Sequence, residues 1–269
     1  MSWTQRQRAM LDEMGLRVWL PEATTPAAVH DDPSNRTAAV ASAKRTAGVV
    51  GEHSAHPAST VAAGTLGARP AGVAQMNWSE LRTAVAACTA CGLCRGRTNT
   101  VFGMGNERAH WMIVGEAPGE QEDLRGEPFV GKSGQLLDNM LRAVHLTRSE
   151  APPEQQVYIA NTVKCRPTGN RNPELAELAQ CEPYLVRQIE LVRPKIILAM
   201  GRVAVQSLLR SSEPIGRLRG RVHRYQGVPL VVTYHPAYLL RNLEDKARAW
   251  EDLCLAVEAV KQTRGDDEG

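Results

Sequence analysis

After about residue 76 the chain alternates short apolar runs with amphipathic stretches. Four apolar runs have the length of strands: Trp111–Val114, Val157–Ala160, Ile196–Ala199 and Leu230–Thr233. Wholly apolar strands separated by helical patterns are typical of a mainly parallel sheet with helices on both faces. The pattern predicts a three-layer α/β/α fold with a central, mainly parallel four-stranded sheet.

The stretches between the strands have helical periodicity. After Ser133, which we interpret as an N-cap, comes one apolar stripe, formed by Leu136, Leu137, Met140, Leu141 and Val144. A second helix is predicted to open at Asn172-Pro173, with the proline at the first helical position. A third is predicted from about Glu244 to Lys261.

The first 75 residues have a different composition. Residues 1–21 mix large apolar side chains with charges and predict a short amphipathic arm, which either packs loosely or docks onto another protein. Residues 22–75 contain almost no large apolar residue, so burial would not offset the entropy of ordering them, and we expect a flexible linker. The folded domain is predicted at residues 76–264, with a tail at 265–269.

Charge and hydropathy restrict the function classes. The 269 residues carry a net charge of +3, which is compatible with a nucleic-acid partner without requiring one. No apolar run approaches the roughly 18 residues that span a bilayer, and the N-terminal segment lacks the apolar core of a secretory signal. We therefore expect a cytoplasmic protein with no membrane partner.

Polar side chains follow three of the predicted strands. Glu116, Asn161 and His235 each lie at or just beyond the carboxyl end of an apolar run. Open α/β sheets bind their ligands at this edge. We expect the three side chains to share one crevice.

The six cysteines have metal-site spacing. Cys88 and Cys91 form a C-x-x-C pair, and Cys165 and Cys181 follow much later in the chain. Four thiolates gathered from distant segments suit either an iron-sulfur cluster or a tetrahedral zinc ion, and spacing does not separate the two. Cys94 extends the pair at the same spacing.

Four segments together resemble the family 4 uracil-DNA glycosylases. These are Gly115–Asp123, Glu127–Gly134, Asn161–Pro167 and His235–Arg241, and the resemblance extends over about residues 78 to 260. It implies a DNA-repair enzyme that flips uracil out of single- or double-stranded DNA and hydrolyses its bond to the sugar, leaving an abasic site. Such an enzyme would work at the nucleoid, and we expect a monomer. The docking partner of the arm would then be a repair or replication protein.

The resemblance also implies a [4Fe-4S] cluster. Its ligands would be Cys88, Cys91, Cys165 and Cys181, with Cys94 left as a spare thiol. Cys254, on the apolar side of the last predicted helix, is interpreted as a core residue.

Roles at the crevice follow from the same resemblance. Glu116 would orient the attacking water and stabilise the positively charged sugar, and His235 would donate a hydrogen bond to uracil O2 as negative charge develops. Asn161 would select the base, and Phe129 would stack on it. The backbone of Glu116, Ala117 and Pro118 would line the pocket, and Glu122 would shape it against the methyl group of thymine.

The loop from His235 to Arg241 is predicted to enter the DNA. Leu239 or Leu240 would fill the gap left by the flipped base, and Arg241 would contact a phosphate. Lys132 and Ser133 are further candidates for phosphate contacts. A basic stretch is either a solvated hairpin or another contact surface, and it contains Arg217, Arg219, Arg221 and Arg224.

Two alternatives compete with the interpretation of this chain as a family 4 enzyme. A subgroup of the superfamily captures DNA covalently through a loop histidine, but it has glutamine at the position of Ala117 and Arg-Arg-Ile-His in place of residues 164–167. The other alternative is a non-catalytic iron-sulfur module that recruits replication proteins through its arm. The presence of Glu116, Phe129, Asn161 and His235 together favours the enzyme.

Overall fold

The computed structural model describes residues 67–267, with side chains to residue 262. The predicted arm at residues 1–21 and the predicted linker as far as residue 66 lie outside the described residues. Within the described range, six strands form one sheet in the order β1-β3-β2-β4-β6-β5. They are β1 (Met104–Gly105), β2 (Trp111–Gly115), β3 (Tyr158–Asn161), β4 (Ile196–Met200), β5 (Val222–Tyr225) and β6 (Val228–Thr233).

The four predicted strands are β2, β3, β4 and β6, and each is parallel to its neighbours among them. The α/β/α class is confirmed, whereas the predicted number of strands is wrong for the sheet as a whole. Two antiparallel edge strands extend it, β1 beside β3 and β5 beside β6. Neither has an apolar run, because β1 has two residues and β5 alternates between exposed and half-buried side chains.

Helices cover both faces of this sheet. They are α1 (Trp78–Ala86), α2 (Glu120–Arg125), α3 (Lys132–Ala143), α4 (Leu175–Val192), α5 (Arg202–Leu209), α6 (Ile215–Leu218), α7 (Pro236–Leu239) and α8 (Asp245–Asp267). On one face, α3 and α8 pack against strand residues such as Ile113. On the other face, α4 and α5 pack against residues such as Val114. Alternate side chains of each strand therefore enter two separate cores.

A third apolar cluster lies between α1 and α4. It includes Leu81, Val163, Cys165 and Cys181, with Cys88 and Cys91 packed against its edge. Val73 is also buried in this cluster, ahead of the domain boundary predicted at residue 76. At the other end of the chain, α8 continues to Asp267, into the segment predicted as a tail.

Two helix starts differ from the prediction. The N-cap of α3 is Gly131 rather than Ser133, and the Gly131 N–H is held by the Glu122 carboxylate at 3.1 Å. Helix α4 begins at Leu175 rather than at Asn172-Pro173. Glu177 causes this shift, because its carboxylate accepts from the Glu174 N–H at 2.8 Å and thereby fixes the first turn after Asn172.

No helix within residues 67–267 has both the length and the apolar character needed to cross a membrane.

Candidate active site

The carboxyl ends of the parallel strands open into a cleft of about 730 Å³. Glu116 follows β2, Asn161 ends β3, and His235 lies two residues beyond β6; all three line the cleft. Gly115 and Asn161 are register partners on β2 and β3. The structure thus brings together the three polar groups that the strand pattern singled out.

Gly115 lies directly behind two residues that line the cleft, Asn161 and Phe129. A Cβ built on it would lie 2.4 Å from Asn161 Oδ1 and 2.7 Å from Phe129 Cζ. Neither distance is compatible with a side chain unless its neighbours move. The absent Cβ lets the amide and the aromatic ring lie side by side.

Asn161 presents an unpaired group in a buried position. Its side chain is 2 % exposed, and Oδ1 has no hydrogen-bond partner among the described residues. Its backbone carbonyl accepts from Lys164 Nζ at 2.8 Å, and the same ammonium donates to Gln188 Oε1 at 2.6 Å. An unsatisfied buried oxygen costs about 1–3 kcal/mol, so its presence beside a cleft indicates a ligand that pairs with it.

Phe129 is held in a conformation that few aromatic residues adopt. Its φ is 55°, and Arg148 Nη1 donates to the carbonyl oxygens of Pro128 and Phe129 at 3.1 and 2.8 Å. The ring lies 5.3 Å from the His235 ring, with 28° between their planes. The ring itself is almost fully buried in the wall of the cleft, where a planar ligand could stack against it.

His235 has a defined tautomer. Its Nδ1 accepts from the Ala237 N–H at 3.2 Å, which leaves the proton of the neutral ring on Nε2. Burial lowers the pKa of His235 to about 4, Glu122 opposes this shift, and Arg241 adds to it. At neutral pH the ring is therefore an uncharged hydrogen-bond donor.

Glu116 is half-buried, and burial raises the pKa of its carboxyl while Arg202 opposes the rise. Asn172 lies beside both groups. With its amide nitrogen toward Glu116, it donates to Glu116 Oε1 at 3.2 Å and accepts from Arg202 Nη2 at 3.2 Å. Neither Asn172 nor Arg202 was among the predicted site residues. The position of Arg202 just beyond β4 was the available signal, because it marks the fourth strand end of the same edge.

Glu122 organises the loops around the cleft. Its carboxylate accepts from the backbone N–H groups of Gly119, Val130 and Gly131 at 3.1, 2.8 and 3.1 Å. These bonds tie the segment after β2 to the segment before α3, and Ala117, Pro118 and Ser133 lie along the same wall. The exposed Lys132 is not one of the residues that line the cleft.

The structure corrects one prediction for the loop from His235 to Arg241. Leu239 is fully buried in the same apolar core as residues of α3 and α8, so it cannot act as a wedge. Leu240 is 41 % exposed, and Arg241 lies at the mouth of the cleft. Only the second leucine of the pair is available to a ligand.

The basic stretch after α6 forms a hairpin with β6. Arg219 pairs with Glu251 and with the buried Asp252, both at 3.0 Å, so it anchors the hairpin to α8. Arg221 lies 3.9 Å from Glu213, and Arg224 donates to the carbonyl of Gly227. The solvated-hairpin alternative fits these contacts better than a phosphate-binding surface.

Five cysteines line a second, small cavity of about 20 Å³ between α1 and α4. They are Cys88, Cys91, Cys94, Cys165 and Cys181. Arg97 Nη1 lies 3.1 Å from Cys165 Sγ, and the Lys164 N–H lies 3.3 Å from Cys181 Sγ. Within the described residues, no three metal-ligating side chains converge on a single ion position. Cys254 is on α8, outside this cavity.

The sequence-family model of the uracil DNA glycosylase superfamily matches residues 102–254 of this chain, and this range includes every residue of the cleft named above. The chain belongs to this superfamily. It is 42 % identical to a type-4 uracil-DNA glycosylase of Archaeoglobus fulgidus, over 58 % of this chain and 79 % of that protein. A type-4 uracil-DNA glycosylase of Saccharolobus solfataricus is 41 % identical, over 64 % and 82 %. That of Thermotoga maritima is 40 % identical, over 65 % and 90 %. Within the superfamily the chain is therefore a member of the type-4 family.

Proposed function

We propose that the cleft of this uracil-DNA glycosylase binds a uracil flipped out of DNA and hydrolyses its bond to deoxyribose, as the first step of base excision repair. The observation that carries the assignment of roles is the unpaired Asn161 Oδ1 beside the ring of Phe129, which itself stacks on the ring of His235. A flipped pyrimidine supplies what this wall lacks, namely a planar face and an N–H donor.

Asn161 selects the base. Its amide oxygen accepts from uracil N3–H, and its amide nitrogen donates to O4. Cytosine has an acceptor at N3 and an amino group at position 4, so both contacts would meet like groups. A buried amide left unpaired by the wrong base discriminates strongly against that base. Phe129 stacks on the selected ring.

His235 stabilises the departing base. As the C1′–N1 bond breaks, its electron pair passes to uracil N1 and negative charge spreads to O2. The Nε2–H of the neutral ring donates to O2, and no proton needs to be transferred because the uracil anion is a stable leaving group. A donor placed in advance at a developing charge is among the strongest contributions to catalysis.

Glu116 acts on the sugar side. Its carboxylate stabilises the positive charge on deoxyribose and orients the water whose oxygen forms the new bond to C1′, while the proton of that water passes to the carboxylate. The reaction moves no electrons between redox centres. Ala117 and Pro118 line the pocket, and Glu122 shapes it against thymine through the loops that it ties together.

DNA is held at the mouth of the cleft. Leu240, rather than Leu239, fills the gap in the duplex, and Arg241 contacts a phosphate. Lys132 and Ser133, at the start of α3, add phosphate contacts on the other side. Binding is therefore salt-sensitive.

The cysteine cavity holds a [4Fe-4S] cluster through Cys88, Cys91, Cys165 and Cys181. The donor set fits, since five thiols from three segments meet there and N–H groups point at two of the sulfurs. Burial raises the pKa of Cys91, Cys165 and Cys181, and bound iron would supply the positive charge that stabilises their thiolates. The cluster would cross-link the three segments that carry these cysteines and would have no role in electron transfer.

The wider setting is part of the same proposal. The protein works as a monomer at the nucleoid in the cytoplasm, and its N-terminal arm recruits another repair or replication protein. These points rest on the chemistry of the substrate and on the pattern of residues 1–21.

A uracil-containing oligonucleotide tests the function. Incubation with iron-loaded protein, followed by alkali to cleave abasic sites, should break the strand at uracil. Glu116→Ala and Asn161→Asp should abolish the break, whereas the matched control Asn139→Asp, on α3 outside the cleft, should preserve it. An intact strand with folded, iron-loaded wild-type protein would overturn the proposal. A stable protein–DNA adduct would instead identify the covalent subgroup.

A further inference from the structure

Asn172 and Arg202 meet at the Glu116 carboxylate, although they come from different parts of the chain. One orientation of the Asn172 amide satisfies both neighbours, with 3.2 Å to Glu116 Oε1 and 3.2 Å to Arg202 Nη2. The reverse orientation would place acceptor against acceptor and donor against donor. Hydrogen bonding therefore fixes the orientation of the Asn172 amide, which bridges the Arg202 guanidinium and the Glu116 carboxylate.

The local fold delivers Asn172 to this position. Arg171 Nη2 binds Glu177 Oε1 at 2.6 Å, and Arg171 Nη1 donates to the Asn172 carbonyl at 3.0 Å. Because α4 starts only at Leu175, the Asn172 side chain is not used as a helix cap. Its amide is available to the cleft instead.

The sheet places Arg202 at the cleft, because this residue follows the end of β4. Gly201 follows β4 with a φ of 89°, and a Cβ on it would lie 3.0 Å from the Cβ of His235. Helix α5 therefore begins against the catalytic histidine, and its first residue is Arg202. Among the side chains that the structure describes, residues 67–262, no ion pair joins Arg202 to a carboxylate. Its guanidinium is thus directed to the Asn172 oxygen without competition from an acid.

We propose that Asn172 and Arg202 are positioning residues for Glu116, which fix the direction of its carboxylate and keep it ionised while DNA covers the cleft. The proposal rests on the catalytic role proposed above for Glu116. An arginine that reached Glu116 directly would neutralise the charge that the sugar needs. The intervening amide orients the carboxylate and leaves its other oxygen accessible to water.

The charge of Arg202 affects the ionisation of Glu116. Burial raises the pKa of the Glu116 carboxyl, and Arg202 is the group that opposes it. The other charged or titratable side chains that line the cleft are Glu122, Arg171, Tyr234, His235, Tyr238 and Arg241. Removing the Arg202 charge should therefore move the Glu116 pKa upward and reduce its ionised fraction in mildly acidic solution.

Titration of Glu116 without substrate tests the proposal separately from the function. Protein labelled with ¹³C at the glutamate carboxyl carbon is titrated by NMR, with the signal assigned from Glu116→Gln. Arg202→Gln and Asn172→Asp should each raise the pKa of Glu116 by about one unit, which corresponds to a tenfold change in the protonation equilibrium. Arg224→Gln, an exposed arginine on β5, is the matched loss of one charge and should leave the titration unchanged.

Excision kinetics supply the second measurement. Positioning of Glu116 predicts that Asn172→Ala and Arg202→Gln lower kcat about tenfold or more with little change in KM. If Arg202→Gln and Asn172→Asp instead titrate like the wild type, and Arg202→Gln changes only KM and the salt dependence of excision, then Arg202 is a phosphate contact and the proposal is wrong. A wild type that titrates as expected but does not excise uracil would refute the function alone.

Discussion

Gly115 and Asn161 face each other in register at the ends of β2 and β3, so close that a Cβ on the glycine would lie 2.4 Å from the amide oxygen of Asn161. The same Cβ would lie 2.7 Å from the ring of Phe129. Under the proposed mechanism, Asn161 and Phe129 are the two side chains that bind the uracil. The missing side chain at position 115 is thus a requirement of base binding and not only of packing.

Gly115→Ala should therefore lower the rate of excision about 100-fold in a folded protein. The added methyl group displaces Asn161 and Phe129, and a displacement of about 1 Å costs about 100-fold in rate. Single-turnover excision of uracil from an oligonucleotide measures the effect. Gly216→Ala is the matched control, since Gly216 lines the same cleft with open space around its Cβ position. Equal activity of the two variants would contradict the proposed base site.

His235 should make stability depend on pH. Its folded-state pKa of about 4 lies below the ordinary 6.5, so the unfolded chain binds the extra proton and stability falls as pH drops between these values. From about pH 7 to about pH 5, wild type should lose about 2 kcal/mol relative to His235→Gln, from 1.36 kcal/mol per pKa unit. Urea unfolding at the two pH values measures the difference. Parallel losses in the two proteins would show that the ring is not desolvated.

The two leucines of the loop after β6 should behave in opposite ways. Leu239→Ala removes a fully buried side chain and should cost about 2–5 kcal/mol in unfolding free energy. Leu240→Ala should leave stability within about 0.5 kcal/mol but lower excision from duplex DNA about tenfold. Single-stranded DNA needs no wedge, so Leu240→Ala should cleave it at the wild-type rate. A loss on both substrates would argue against insertion.

Cysteine substitutions should separate ligands from bystanders. Cys181→Ser should reduce bound iron and visible absorbance, because its sulfur is buried at the cavity. Cys254→Ser, on α8 away from the cavity, should retain both. Iron content per chain and the visible spectrum are the measurements. A colourless wild type with stoichiometric zinc would contradict the iron-sulfur assignment.

Much of this fold could be predicted because its central strands are buried on both faces. Residues such as Ile113 and Val114 enter opposite cores, so the whole strand is apolar and recognisable. Strand β5 has one solvated face and only β6 for a neighbour, and its sequence around Arg224 has no such pattern. Edge strands depend on pairing that a local pattern does not encode.

The candidate site was predictable to the extent that it follows strand ends. Glu116, Asn161 and His235 could be located from topology alone, but Asn172 could not. Its Asn-Pro sequence is a strong local cap signal, and the Glu177 pairing with Arg171 and Glu174 overrides it. Likewise the sequence does not distinguish Leu239 from Leu240, and only the packing of Leu239 into the core separates them.

Arg148 extends from the segment after α3 to hold the carbonyls of Pro128 and Phe129, and it also binds Asp138. The aromatic wall is thereby set before any substrate arrives. A preformed receptor spends little of its binding free energy on ordering its own loops. It also has little capacity to accommodate a larger guest. If the cleft binds uracil as proposed, a wall fixed in this way leaves no room for the methyl group of thymine, so the many thymines of the genome would compete poorly for the site.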